Sequence, residues 1–131
     1  MLIKGGCLCG KLRYQSVSSC TEKGYCHCSI CRKSTSAPVV AFTSFPIEGF
    51  SYVKGKPAIY KSSDKGQREF CCNCGTQIAH RGTHEADTVD VNSGTLDDLT
   101  LFNPDFHIYT EEQVSWLNIN DNLPKYKKGY E

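Results

Sequence analysis

The sequence predicts a mainly β domain with one or two short helices. Three observations carry that expectation: short stretches alternate polar and apolar residues, Gly, Asn, Asp and Pro separate them, and helical periodicity is scarce. A chain of 131 residues matches one domain of ordinary size, and 39% apolar residues suffice for one core, so residues 1–131 are expected to form a single domain.

Taken in order, Lys11-Leu12-Arg13-Tyr14-Gln15, Phe50-Ser51-Tyr52-Val53, Ala58-Ile59-Tyr60 and Thr88-Val89-Asp90-Val91-Asn92 each have the period of two expected of a half-buried strand. Small and polar residues from Ser29 to Ser36 predict a short helix with Ser29 as N-cap, stopped by Pro38. Thr110 to Trp116 predicts one more helical turn, opened by Thr110 with Glu111 and Glu112 behind it. No repeat, low-complexity tract or linker interrupts the chain, and Asp121-Asn122-Leu123-Pro124 marks a last turn.

Nine cysteines punctuate these elements, eight of them in three clusters: Cys7-Leu8-Cys9, Cys26-His27-Cys28-Ser29-Ile30-Cys31 and Cys71-Cys72-Asn73-Cys74. Cysteines one or two residues apart do not readily close a disulfide with each other, whereas a tight turn aims both sulfurs at one ion, the pattern of zinc sites. The odd count opposes complete pairing. Met1-Leu2-Ile3-Lys4-Gly5-Gly6 offers no apolar signal segment, which predicts a reducing, cytoplasmic setting and thiolates on metal. No apolar run approaches the roughly 18 residues of a membrane span. Fifteen basic against fourteen acidic residues give a net charge of +1, without the concentrated positive charge that nucleic acid or an anionic membrane requires. The one basic run, Lys125-Tyr126-Lys127-Lys128, reads as a solvated tail.

The clusters divide into two prospective zinc sites. Gly5, Gly6 and Gly10 let the chain turn around an ion held by Cys7 and Cys9, and Cys71-x-x-Cys74-Gly75 reads as a zinc knuckle that completes a closed, structural Cys₄ site. Cys26, Cys28 and Cys31 supply three ligands from one segment. Three leave a position open for water or substrate, as in catalytic zinc, unless Cys20 or Cys72 closes the site; the spacing leaves both possibilities standing.

His27, between two ligands of an extended segment, faces away from them and is expected to pack. His80, His84 and His107 read as surface or core histidines, with His107 at a strand position, and Trp116 as a core or pocket-wall aromatic. Arg32 and Lys33 directly follow Cys31. There they can balance thiolate charge or hold an anionic ligand.

Gly6-Cys7-Leu8-Cys9-Gly10 with Arg13-Tyr14, then Cys26-His27-Cys28-Ser29-Ile30-Cys31-Arg32-Lys33, then Phe70-Cys71-x-x-Cys74-Gly75, resemble the motifs of the glutathione-dependent formaldehyde-activating enzyme family, which also includes centromere protein V. His107-Ile108-Tyr109, Trp116 and Asp121-Asn122-Leu123-Pro124 are similar to its C-terminal pattern, so the resemblance covers nearly the whole chain.

This resemblance implies a zinc-bearing antiparallel β-sheet domain of the β-tent kind. It also implies structural zinc on Cys7, Cys9, Cys71 and Cys74, and catalytic zinc on Cys26, Cys28 and Cys31. The implied activity is carbon–sulfur lyase chemistry, condensing formaldehyde with glutathione to S-hydroxymethylglutathione, with Arg32 or Lys33 as partners for a glutathione carboxylate. Members assigned that reaction are generally longer than this chain. The competing reading is a non-enzymatic zinc module whose surface around Trp116 or the C-terminal lysines binds a protein.

Overall fold

The computed structural model describes residues 2–82 and 87–129. Ten strands and one α-helix follow in the order β1 (Ile3–Gly6), β2 (Arg13–Ser16), β3 (Glu22–Cys26), α1 (Ser29–Thr35), β4 (Val40–Pro46), β5 (Phe50–Lys54), β6 (Ala58–Ser63), β7 (Gly66–Phe70), β8 (Gln77–Gly82), β9 (Thr88–Asn92) and β10 (His107–Ile108). Short 3₁₀ turns join some of them. The fold is mainly β with one short helix, as the alternation predicts.

Two sheets form. The smaller has the order β1-β2-β5, and the larger β10-β3-β4-β9-β8-β7-β6. Pairing is antiparallel except between β10 and β3, where His107 lies opposite Tyr25 and Ile108 opposite Cys26 in parallel register. That parallel pair, with the parallel bridge between His107 and Lys125 beside it, departs from the expected antiparallel order. It follows from the long connection after β9, which returns the chain along β3 instead of folding back as a hairpin.

The main core lies where the sheets meet. Leu12, Tyr14, Phe45, Ile78, Val89 and Val91 are almost wholly removed from solvent. Each such side chain contributes roughly 1.5–3 kcal/mol by leaving water. The Tyr14 hydroxyl shares a hydrogen bond with Thr95 Oγ1 at 2.7 Å, so its polar end is satisfied where its ring is buried. A second cluster, Cys26, Phe42 and Phe106, packs under Ile108, Tyr109 and Tyr126.

Local differences from expectation have local causes. Strand β2 begins at Arg13 and not Lys11, because the Leu12 carbonyl closes the preceding turn by accepting the Cys7 N–H at 3.0 Å. Helix α1 starts one residue earlier than a Ser29 cap requires: Cys28 is the N-cap, its sulfur accepting the Cys31 N–H at 3.3 Å. The helix ends before Pro38 at Ser36, which adopts a left-handed φ of 58°. Thr110–Glu112 forms a single 3₁₀ turn, shorter than expected. Trp116 is neither core nor pocket wall but 71% exposed. The lysine run is not a free tail, since Tyr126 N–H donates to the His107 carbonyl at 2.9 Å and Tyr109 N–H to the Lys128 carbonyl at 3.0 Å. Its lysine side chains are exposed, but its backbone extends the sheet edge at β10.

Candidate metal centres

The β1–β2 turn of the smaller sheet and the β7–β8 turn of the larger one carry the first cluster. Gly10 (φ 81°) and Gly75 (φ 80°) adopt the left-handed conformation that ends each turn without a Cβ clash. Cys7 N–H donates to the Leu12 carbonyl and Cys71 N–H to the Thr76 carbonyl, each at 3.0 Å, so the two turns are closed in the same way. Cys7, Cys9, Cys71 and Cys74 then place their sulfurs within 4.8 Å of one another. Cys7 and Cys9 sulfurs are 3.6 Å apart, Cys9 and Cys71 3.8 Å. A tetrahedron of four sulfurs with zinc–sulfur bonds of about 2.3 Å has edges of about 3.8 Å, and the spacings fit it. All nine cysteines are free thiols, the sulfur spacings here being far beyond a disulfide bond.

Donors surround these sulfurs. Leu12 N–H donates to Cys7 Sγ at 3.2 Å and Asn73 Nδ2 to Cys9 Sγ at 3.3 Å. Thr76 Oγ1 accepts the Leu8 N–H at 3.1 Å, which frees its own hydrogen for Cys74 Sγ at 3.2 Å. The hydrogen bond from Thr76 is the largest influence holding the Cys74 thiol down at about 5. Cys74 is therefore disposed to be thiolate, the form that binds metal.

The second cluster sits at the end of β3 and the start of α1. Cys26, Cys28 and Cys31 also bring their sulfurs within 4.8 Å of one another, Cys26 and Cys31 at 3.5 Å. Among the described residues no fourth Cys, His, Asp or Glu joins them. Cys20 instead packs against the main core and Cys72 is exposed. Hydrogen bonds from Cys26 and Cys31 hold the Cys28 thiol far below the ordinary thiol range. Each cysteine group can hold a metal ion.

Beside this trio a cleft of about 470 Å³ opens between α1, the segment after β10 and the face of the larger sheet. Arg68 of β7, 8% exposed, reaches it with both terminal guanidinium nitrogens 3.7 Å from Cys31 Sγ, while its Nε donates to Ser62 Oγ at 3.4 Å. Arg32 and Lys33, the cations that the sequence places next to the trio, do not line the cleft. Arg32 Nε donates to the His27 carbonyl at 3.3 Å and Lys33 is exposed. Helical geometry explains this: residues directly after Cys31 turn away from the face it occupies, whereas β7 crosses beneath that face.

Behind the trio, His27 packs as expected, fully buried. Its Nε2 lies 2.8 Å from His107 Nδ1, and His107 Nε2 lies 2.9 Å from Asp121 Oδ2. Because a carboxylate only accepts, His107 Nε2 carries hydrogen; with His107 Nδ1 accepting from His27 Nε2–H, His27 Nδ1 is a buried acceptor without a partner among the described residues. Burial holds His27 down at about 4, so it is neutral at physiological pH. Tyr109 lines the cleft in a left-handed conformation (φ 55°), and burial raises its phenol, which stays protonated. Glu112 Oε1 accepts the Ser29 N–H at 3.0 Å and ties the same segment to the start of α1.

The sequence did not mark Arg68, Asp121 or Tyr109 as members of this site. Arg68 lies in an ordinary alternating strand, and only the β7 register turns it toward the cysteines. His80 lines the cleft. His84 lies outside the described residues.

Known proteins share this arrangement of fold and sequence to different degrees. A crystal structure of a Rhodobacter sphaeroides protein superposes with a TM-score of 0.59 over 93% of this chain and 98% of its own, at 18% identity, and shares the fold. A Schizosaccharomyces pombe protein described as an uncharacterized lyase is 32% identical over 92 residues, 69% of this chain and 65% of its own length. The chain thus spans a little under two thirds of that relative. The sequence model of the glutathione-dependent formaldehyde-activating enzyme matches residues 2–112, which include both cysteine groups and Arg68. The chain belongs to the glutathione-dependent formaldehyde-activating enzyme family.

Proposed function

We propose that this chain is a zinc-dependent enzyme of the carbon–sulfur lyase type, acting on the adduct of glutathione with formaldehyde or a related aldehyde. The observation that carries the reading is the three-cysteine group facing a cleft, beside a four-cysteine group that is complete. Family membership and the lyase description of the Schizosaccharomyces pombe relative support the same class.

In this reading Cys7, Cys9, Cys71 and Cys74 hold a structural zinc, and Cys26, Cys28 and Cys31 a catalytic one. When bound at the trio, zinc supplies a vacant coordination position at which a thiol loses its proton near neutral pH. The chain's own residues do the rest. Three thiolates outweigh the charge of one divalent ion, and Arg68 offsets the excess at Cys31. The Cys31 N–H fixes the Cys28 sulfur, and the hydrogen bond between His27 and His107 braces the segment between Cys26 and Cys28 from behind. Tyr109 presents a protonated phenol at the cleft, suited to donate a hydrogen bond to an aldehyde oxygen.

The test is the rate of S-hydroxymethylglutathione formation followed by NMR, with zinc-replete protein against buffer. Acceleration that disappears in Cys28→Ser while the fold persists is the expected result. A rate equal to buffer, with X-ray absorption showing a fixed four-sulfur shell that glutathione does not alter, would favour the non-enzymatic zinc module.

A further inference from the structure

Five polar side chains form one row across the larger sheet. The register places Glu22 of β3 opposite Ser44 of β4, Ser44 opposite Asp90 of β9, Asp90 opposite His80 of β8, and His80 opposite Arg68 of β7. All five line the cleft beside the cysteine trio. The row is electrically ordered, with carboxylates toward β3 and a guanidinium at β7.

Its members are held in place. Ser44 Oγ donates to Asp90 Oδ1 at 2.5 Å, and His80 Nδ1 lies 3.7 Å from Asp90 Oδ2. A carboxylate offers about four acceptor positions, so Asp90, 38% exposed, keeps capacity toward the cleft. At the other end Ser62 orients the Arg68 fork, whose terminal nitrogens, among the described residues, have only the long contact to sulfur. A buried guanidinium with donors facing a cleft matches the two oxygens of a carboxylate.

We infer that this row is the specificity element of the cleft: Arg68 takes a carboxylate, and Asp90 an ammonium, of a peptide-sized thiol whose sulfur sits at the cysteine trio. The inference rests on the thiol-binding reading given above. Two strand spacings of about 4.8 Å separate the backbones of Arg68 and Asp90, about 10 Å in all, and side chains on one face of a sheet stand roughly parallel. A single amino acid, whose ammonium and carboxylate share one carbon, does not cover that distance; about three extended residues do. The cleft therefore selects a zwitterionic tripeptide-like thiol over a small neutral one.

Isothermal titration calorimetry of the zinc-replete protein tests this with three probes: glutathione, its diester (carboxylates blocked) and N-acetylglutathione (ammonium blocked). Every probe presents the same sulfur, so ratios of affinity cancel any effect of a variant on the metal. Wild type should prefer glutathione to the diester by about ten-fold or more, the worth of one charge-assisted hydrogen bond. Arg68→Gln should erase that preference and keep the preference over N-acetylglutathione, and Asp90→Asn should do the reverse. Arg68→Lys, which retains charge without the fork, should lose part of the diester preference and serves if the glutamine variant does not fold. Unchanged ratios in folded, zinc-replete variants would overturn the assignment of the row. If none of the three thiols binds wild type, the thiol-binding reading falls, and the row's role with it.

Discussion

The two cysteine groups have the same ligand chemistry and opposite architectures. One is drawn from turns of two different sheets, with Cys9 and Cys71 separated by 62 residues in sequence and 3.8 Å in space. The other is drawn from six consecutive residues at a strand-to-helix junction. The first has four sulfurs, and each of its turns is closed by backbone bonds. The second has three sulfurs, a guanidinium and a lined cleft. Completeness goes with a fold-spanning position, incompleteness with a local one, and in the proposed function that division separates holding the chain together from handling a ligand.

The comparison is broken most directly at Cys71. Cys71→Ser should cost the first metal and, because structural zinc carries roughly 10 kcal/mol or more of apparent binding free energy, abolish the cooperative melting transition seen by circular dichroism. Cys28→Ser should lower zinc from two equivalents to one by elemental analysis while the transition remains. Equal damage from both substitutions would remove the distinction between the groups.

His107 sharpens it next. The ring is 1% exposed, stacked on Tyr25 at 4.9 Å and on His27 at 5.1 Å. His107→Ala should cost about 2–4 kcal/mol in urea unfolding, through the cavity and the stranded His27 N–H. It should leave metal at Cys71 and Cys74 in place.

A smaller, pH-dependent effect is expected at Asp121, whose carboxyl the His107 hydrogen bond holds below its ordinary value. A depressed carboxyl stabilises the fold above its unfolded pKa and loses that contribution as pH falls through the folded one. Asp121→Asn should therefore melt below wild type at pH 7, with the gap narrowing below about pH 4. A constant gap would mean that Asp121 acts by packing alone. The least effect is expected from Cys72→Ser: two zincs retained, and stability within about 0.5 kcal/mol, as for an ordinary exposed site.

Much of this was legible in the chain because its signals are short-range. Val89 and Val91 alternate within five residues, and their strand falls on the expected residues 88–92. Paired cysteines with a following glycine announce a knuckle within five residues. What the sequence concealed depends on register and return. Arg68 becomes a neighbour of Cys31 only because β7 is the sixth strand of its sheet. Adjacency to Cys31 pointed to Arg32 and Lys33, which the helix rotates away. Asp121 meets His107 only after a loop with no periodic pattern. Trp116 misled because an aromatic reads as core by composition, and nothing local reports that its segment lies outside the sheet contacts.

The 62-residue separation of Cys9 from Cys71 has a further consequence, in thermodynamic linkage. A ligand stabilises a fold only by its preference for the folded over the unfolded chain. Cys26, Cys28 and Cys31 stay near one another in any conformation, so an unfolded chain retains part of its affinity there and the metal adds little to folding free energy. Cys7 and Cys9 meet Cys71 and Cys74 only when both sheets have assembled, at a loop-closure cost that the unfolded chain does not recover. Metal at that group acts on the folded state alone, and nearly all of its binding free energy becomes stability. A newly made chain can thus hold metal at Cys26, Cys28 and Cys31 before it folds, and completes the first group only when the β7–β8 turn arrives.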